Sequence, residues 1–196
     1  MRLARLGEFT PQFPDAEALH QGLARWNRRR LAVGEPTAAW REEIGEEARM
    51  RRLEGAFVEA FRAQVAPDLA GVPTDPAGFV AWFEDLKESG PGQYDQLFAW
   101  LEAEASLEDF KWFLPQEAAG EAGFDDLVAM TQVKMPARAK LELARNYWDE
   151  MGRGNASGMH GPMLDRTIEG FELTPSIEGT LWQSLALAHT LTALAT

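Results

Sequence analysis

The sequence predicts an all-α protein. Ala, Leu, Glu and Arg dominate it, while Val and Ile are sparse and scattered. No segment alternates apolar and polar residues as a half-buried strand would. Short Pro, Gly and Asp connectors, such as GVPTDPAG (71–78) and ESGPG (88–92), separate the apolar segments. The 196 residues can bury one real core. Residues 1–66 read as an N-terminal helical segment and 67–196 as the bundle core, together one continuous domain. Residues 66–78 are the candidate hinge between them.

The helices are expected in the following order. The first runs from Asp15 to Leu31, an amphipathic stretch beginning AEALHQGLARW. Others run from Thr37 to Val65, Pro76 to Glu88, Gln93 to Glu104 and Leu107 to Ala119. The remaining four run from Gly123 to Val133, Pro136 to Met151, Met159 to Gly170, and Pro175 to the end. Pro136 and Pro175 stand where proline is tolerated, in a first helical turn. Thr174 before Pro175, with Glu178 beyond, reads as a helix start. The final stretch, IEGTLWQSLALAHTLTALAT, is apolar on most sides and reads as a helix buried all round. It ends with no cap, glycine or charged tail, so covering helices are expected from a further segment or another chain.

Composition excludes several functions. A net charge of −12 repels phosphate backbones, so nucleic acid is not the expected partner. The basic run RWNRRR (25–30) reads as a solvated helix face. With no cysteine, disulfides, thiolate metal sites and cysteine nucleophiles are excluded, and a cytoplasmic protein is expected. The N-terminal MRLARLGEFTPQFPD lacks a signal-peptide core, and no apolar run is long enough to span a membrane. There is no G-x-S-x-G elbow and no phosphate-cradling glycine loop. The seven Trp and eleven Phe are mostly core by spacing, and part of them could line an apolar substrate pocket.

Three polar residues fall on apolar helical stripes. Glu150 follows Leu143 and Tyr147, whereas Glu142, Arg145 and Asp149 form a second, wet stripe. Glu117 follows Phe110 and Phe113 or Leu114. His160 leads Leu164, Ile168 and Phe171. A buried carboxylate is costly unless paired, hydrogen-bonded, protonated or metal-bound. One explanation is a shared cation, since carboxylate and imidazole are ligands of non-haem iron and manganese in helical bundles. The other is that the glutamates meet Arg or Tyr and the histidine a backbone carbonyl. In a straight helix Glu150 and His160 would lie about 15 Å apart. Gly152, Gly154 and Gly158 allow the chain to turn and bring them together, or form a plain surface turn. His189, on the stripe of Trp182, Leu185 and Ala186, is a weaker candidate ligand, and otherwise a satisfied core histidine.

The segment AKLELARNYWDEMGRGNASGMHGPML (139–164) resembles the haem-oxygenase-like iron-containing redox enzymes, also called haem-oxygenase-like diiron oxidases. Glu150, the glycine-rich turn and His160 carry the resemblance. FKWFLPQEAAGEAGFDDLVAM (110–130) resembles the family's earlier ligand helix, with Glu117 at the matching place. The similarity extends over about 95–196. It implies an up-and-down helical bundle and an O₂-activating non-haem iron site, with two irons expected and manganese as the alternative. It further implies a small organic substrate and metal ligands Glu117, Glu150 and His160. The family's last ligand helix carries His, Asp and His at one-turn spacing. This sequence has only His20, His160 and His189, and no such helix. The expectation is therefore the front part of an iron-dependent oxidase, completed by a missing segment, a second chain or a homodimer. The alternative is a non-catalytic helical interaction domain with a vestigial site.

Overall fold

The computed structural model describes residues 15–35, 37–121 and 123–196. The stretch in which no signal-peptide core is expected lies outside them, save Asp15. The described residues form nine α-helices and no strand. No helix among them is long and apolar enough to cross a membrane.

Helix α1 (Ala16–Arg30) starts where the Asp15 carboxylate accepts from Ala18 N at 2.8 Å. It ends on three arginines that complement the helix dipole. Its inner stripe is His20, Leu23, Trp26 and Asn27, all buried. Helix α2 (Trp40–Val65) meets it with Met50 and Leu53, and a small core of Leu23, Trp26 and Met50 results. The basic run is not wholly a wet face. Arg25 and Arg29 reach the acids Glu178 and Glu46. Arg30 is drawn inward, its side chain 9% exposed and 3.1 Å from Glu54, with its guanidinium over the Trp26 ring.

A short 3-10 turn (Ala66–Gly71) leads out of α2. Helices α3 (Pro76–Ser89) and α4 (Gln96–Ala103) begin on the aspartate caps Asp75 and Asp95. Both leave large apolar side chains exposed, among them Phe79, Phe83 and Phe98. Helix α5 (Leu107–Glu121) opens with a capping box, in which Ser106 Oγ accepts from Asp109 N and the Asp109 carboxylate accepts from Ser106 N. Gly123, at φ +81°, admits α6 (Phe124–Thr131). Helix α7 (Ala137–Glu150) follows, then two 3-10 turns and α8 (His160–Gly170).

The last helix, α9 (Trp182–Ala195), lies against α1, α5 and α6. It starts seven residues after the expected position at Pro175. Ser176, Gly179 and Thr180 form a hydrogen-bonded turn instead, in which the Ser176 hydroxyl accepts from Gly179 N. The first orphan amide of the helix, Leu181 N, donates to the Gln116 side chain of α5 at 2.8 Å. A tertiary contact, not the local Thr-Pro signal, therefore sets where α9 begins. Nor is α9 buried all round. It buries Leu185, His189 and Thr192 and exposes Leu187 and Leu194.

Candidate metal centre

Helix α7 is turned so that Leu143 and Tyr147 are partly buried and Glu150 is buried, as the spacing predicts. On the opposite stripe Glu142 and Asp149 are exposed and engaged by Arg145 and Arg153. That outer face also forms an open groove beside Leu141, Ala144 and Trp148.

The chain leaves the helix at once after Glu150. Gly152 (φ +58°), Arg153 (φ +54°) and Gly154 (φ +84°) take left-handed conformations. A β-bridge pairs Met151 with Met159 and closes the loop between them. Asn155 Oδ1 accepts from Ser157 N and Oγ, and Arg166 of α8 donates to the Ser157 carbonyl at 2.6 Å. The loop thus returns the chain to its starting point and launches α8 at His160.

The result is a close pair. Nδ1 of His160 lies 2.5 Å from Oε2 of Glu150. The contact is a close ion pair, and Oε2 is otherwise a buried acceptor with no hydrogen-bond partner. The Glu150 side chain is 11% exposed and that of His160 61%. His160 therefore does not face a core, contrary to its stripe. It starts a helix at the molecular surface, and only its ring edge reaches inward to Glu150.

Glu117 departs from expectation more clearly. It is exposed, while its neighbours Gln116 and Ala118 are buried. The reason lies in α9: Gln116 donates to the Gly179 carbonyl and accepts from Leu181 N, and these two bonds fix the rotation of α5. His189 is placed elsewhere, against Asn27 of α1, with its Nδ1 3.1 Å from the amide nitrogen. His20 is buried beside it. Among the described residues no three His, Asp or Glu side chains gather closely enough to hold a metal ion. Glu150 and His160 are brought together, and Glu117 and His189 do not join them.

Sequence reasoning missed Gln116, Arg166 and the contact of Gly152 with Gly158. Only the glycine pair left a sequence signal, the density of glycine between 152 and 158.

An oxygen and a nitrogen donor held side by side, one of them buried and unbonded, fit one side of a non-haem iron or manganese centre. Carboxylate and imidazole side chains on facing helices are the donors from which helical bundles build metal sites. Residues 111–196 match the model of a family described as iron-containing redox enzymes. That segment carries Glu117, Glu150, His160 and His189, and over it the resemblance to the haem-oxygenase-like proteins is shown. The all-α architecture of the described residues agrees with that match. No curated protein and no solved structure matches the chain.

Proposed function

We propose that the chain is a non-haem iron oxidoreductase that oxidises a small organic substrate with O₂. The observation that carries this reading is the convergence of Glu150 and His160 at 2.5 Å, inside the segment that matches the iron-containing family. Iron would supply the electron-transfer chemistry that lets O₂ react with a closed-shell organic molecule.

The chain's own residues contribute binding and position. Glu150 offers a buried carboxylate oxygen, which is worth more to a cation at low dielectric than in water. His160 offers Nδ1 from the exposed side. The loop 152–158 holds the two donors at one point, so little ordering entropy remains to be lost on metal binding. Glu117, exposed on α5, which packs against α8, is the further ligand of this proposal once turned toward the pair, and two irons are its stoichiometry, with manganese as the alternative metal. The remaining ligands come from a further segment, a second chain or a second copy of this one. The protein acts in the cytoplasm.

The second reading, a non-catalytic helical interaction domain, draws on the exposed Phe79, Phe83 and Phe98 of α3 and α4. One experiment separates the two. The protein is prepared without oxygen, supplied with ferrous iron and freed of excess, and its metal is measured by elemental analysis. Retained iron that is lost in both Glu150→Gln and His160→Ala supports the enzyme. Iron retained unchanged in both variants overturns this site and leaves the interaction domain, whereas iron absent from the wild-type protein directs the search to the segment or partner that supplies the remaining ligands.

A further inference from the structure

The two remaining histidines define a second place of interest, away from Glu150 and His160. His20 of α1 and His189 of α9 are each 1% exposed and rank among the largest fully buried side chains. Each keeps a buried ring nitrogen without a hydrogen-bond partner, Nδ1 of His20 and Nε2 of His189. Their ring centroids are 6.3 Å apart at an interplanar angle of 56°. Phe57 of α2 stands 5.0 Å from one ring and 5.2 Å from the other. The Trp182 ring stacks on His20 at 5.8 Å.

The separation is informative. Two imidazoles joined by a direct N–H···N bond would hold their centroids about 5 Å apart, so these two are not bonded to each other. A metal ion about 2 Å from each nitrogen would sit about 3.2 Å from each centroid. Centroids 6.3 Å apart match the separation of two rings on opposite sides of one ion, an arrangement that requires Nδ1 of His20 and Nε2 of His189, both without partners, to face each other. Two nitrogen donors in near-linear array are the preferred arrangement of the soft monovalent ion Cu(I), not of tetrahedral Zn(II).

We propose that His20 and His189 form a two-coordinate Cu(I) site in the core between α1, α2 and α9. The surroundings favour a single charge over a double one. Arg30 is close by, and Glu54 at 3.1 Å offsets its charge. Phe57 and Trp182 supply an aromatic wall, in which the cost of burying an ion rises with the square of its charge. Proton competition is weak, because burial pushes His20 down to about 4 and His189 down to about 3. Asn27 is the positioning residue. Its amide sits 3.1 Å from His189 Nδ1, and its Oδ1 has no partner. Turned by half a revolution, that amide would accept from Nδ1–H and leave the lone pair of Nε2 for the ion.

The test is an anaerobic titration of the whole protein with Cu(I) against the chromogenic chelator bicinchoninate. One Cu(I) per chain is expected. It should be lost in His20→Gln and in His189→Gln, and kept in Glu150→Gln and His160→Ala, so this site and the iron centre fail separately. The wild-type protein provides a second readout that needs no variant. With only three histidines in the chain, their ring ¹⁵N resonances resolve, and Cu(I) should move those of His20 and His189 and leave His160 in place. Unmoved His20 and His189 resonances would mean a water-bridged pair and would overturn the site. Capture by His160 alone, or retention of Zn(II) but not Cu(I), would overturn it equally.

Discussion

Gly152 and Gly158 meet backbone to backbone. A Cβ on Gly152 would stand 2.5 Å from the carbonyl carbon of Gly158 and 2.7 Å from Met159 N. Backbone cannot retreat as a flexible side chain can, and Gly152 is also at φ +58°. Gly152→Ala should therefore open the loop and draw His160 away from Glu150, weakening Fe(II) binding at least tenfold. Gly154→Ala is the control. It carries the same left-handed strain, at φ +84°, but its clash is with the Trp148 ring edge at 2.9 Å, on an exposed side chain that can swing aside, so the pair isolates the backbone clash. Competition with a fluorescent iron chelator would rank the two, and a larger loss in Gly154→Ala would contradict the loop geometry.

Replacing Glu150 by Gln keeps its shape and removes a buried carboxylate whose Oε2 accepts no hydrogen bond. A buried charge without full satisfaction costs stability in the metal-free chain. The variant should thus melt at a higher temperature than the wild type without metal, and lose the rise in Tm that Fe(II) gives the wild type. Paired thermal melts with and without iron would show the reversal. A variant less stable in both conditions would mean that Glu150 is an ordinary packing residue.

Gln116 marks where the sequence stopped being informative. The helix count, their order and the inward turn of Glu150 were legible, because α7 has a clear 3.6-residue period over Leu143, Tyr147 and Glu150. The return of His160 was legible as one of two alternatives, since glycine permits a turn without choosing its path. The face of α5 was not legible. Its Phe110, Phe113, Leu114 and Glu117 share a stripe, yet the helix is held by Gln116, whose partners lie at Gly179 and Leu181. Contacts across 63 and 65 residues leave no local trace. The same contact moved the start of α9 away from the Thr-Pro signal.

Gln116→Ala should consequently cost about 1–2 kcal/mol, because it removes two part-buried hydrogen bonds, to Leu181 N and the Gly179 carbonyl, at the start of α9. Urea unfolding would give the loss as a lower midpoint at unchanged slope. Amide exchange should locate it, with faster exchange at Leu181 and Trp182 and little change in α2. Unaltered stability would show that α9 is held by its apolar contacts alone.

The buried histidines set the pH dependence of the metal-free protein. An unfolded histidine titrates near 6.5, whereas burial holds His20 at about 4 and His189 at about 3. Between those limits the unfolded chain binds more protons than the folded one, so stability falls as the pH falls. At pH 5 each histidine should have removed on the order of 2 kcal/mol. Charges facing the pair from α1 and α2 do not reverse the sign. Arg30 opposes protonation of His189, and Glu54 is already engaged by Arg30 and Arg51. The paired carboxylates Glu46, Asp109 and Glu178, held below their usual range by Arg49, Ser106 and Arg25, respond only at lower pH. The window from pH 6.5 to 5 therefore isolates the histidines. Denaturant midpoints across it should drop steeply in the wild type and about half as steeply in His189→Gln, where only His20 still titrates in this way. A flat wild-type profile would mean that the α1–α9 interface admits water to both rings.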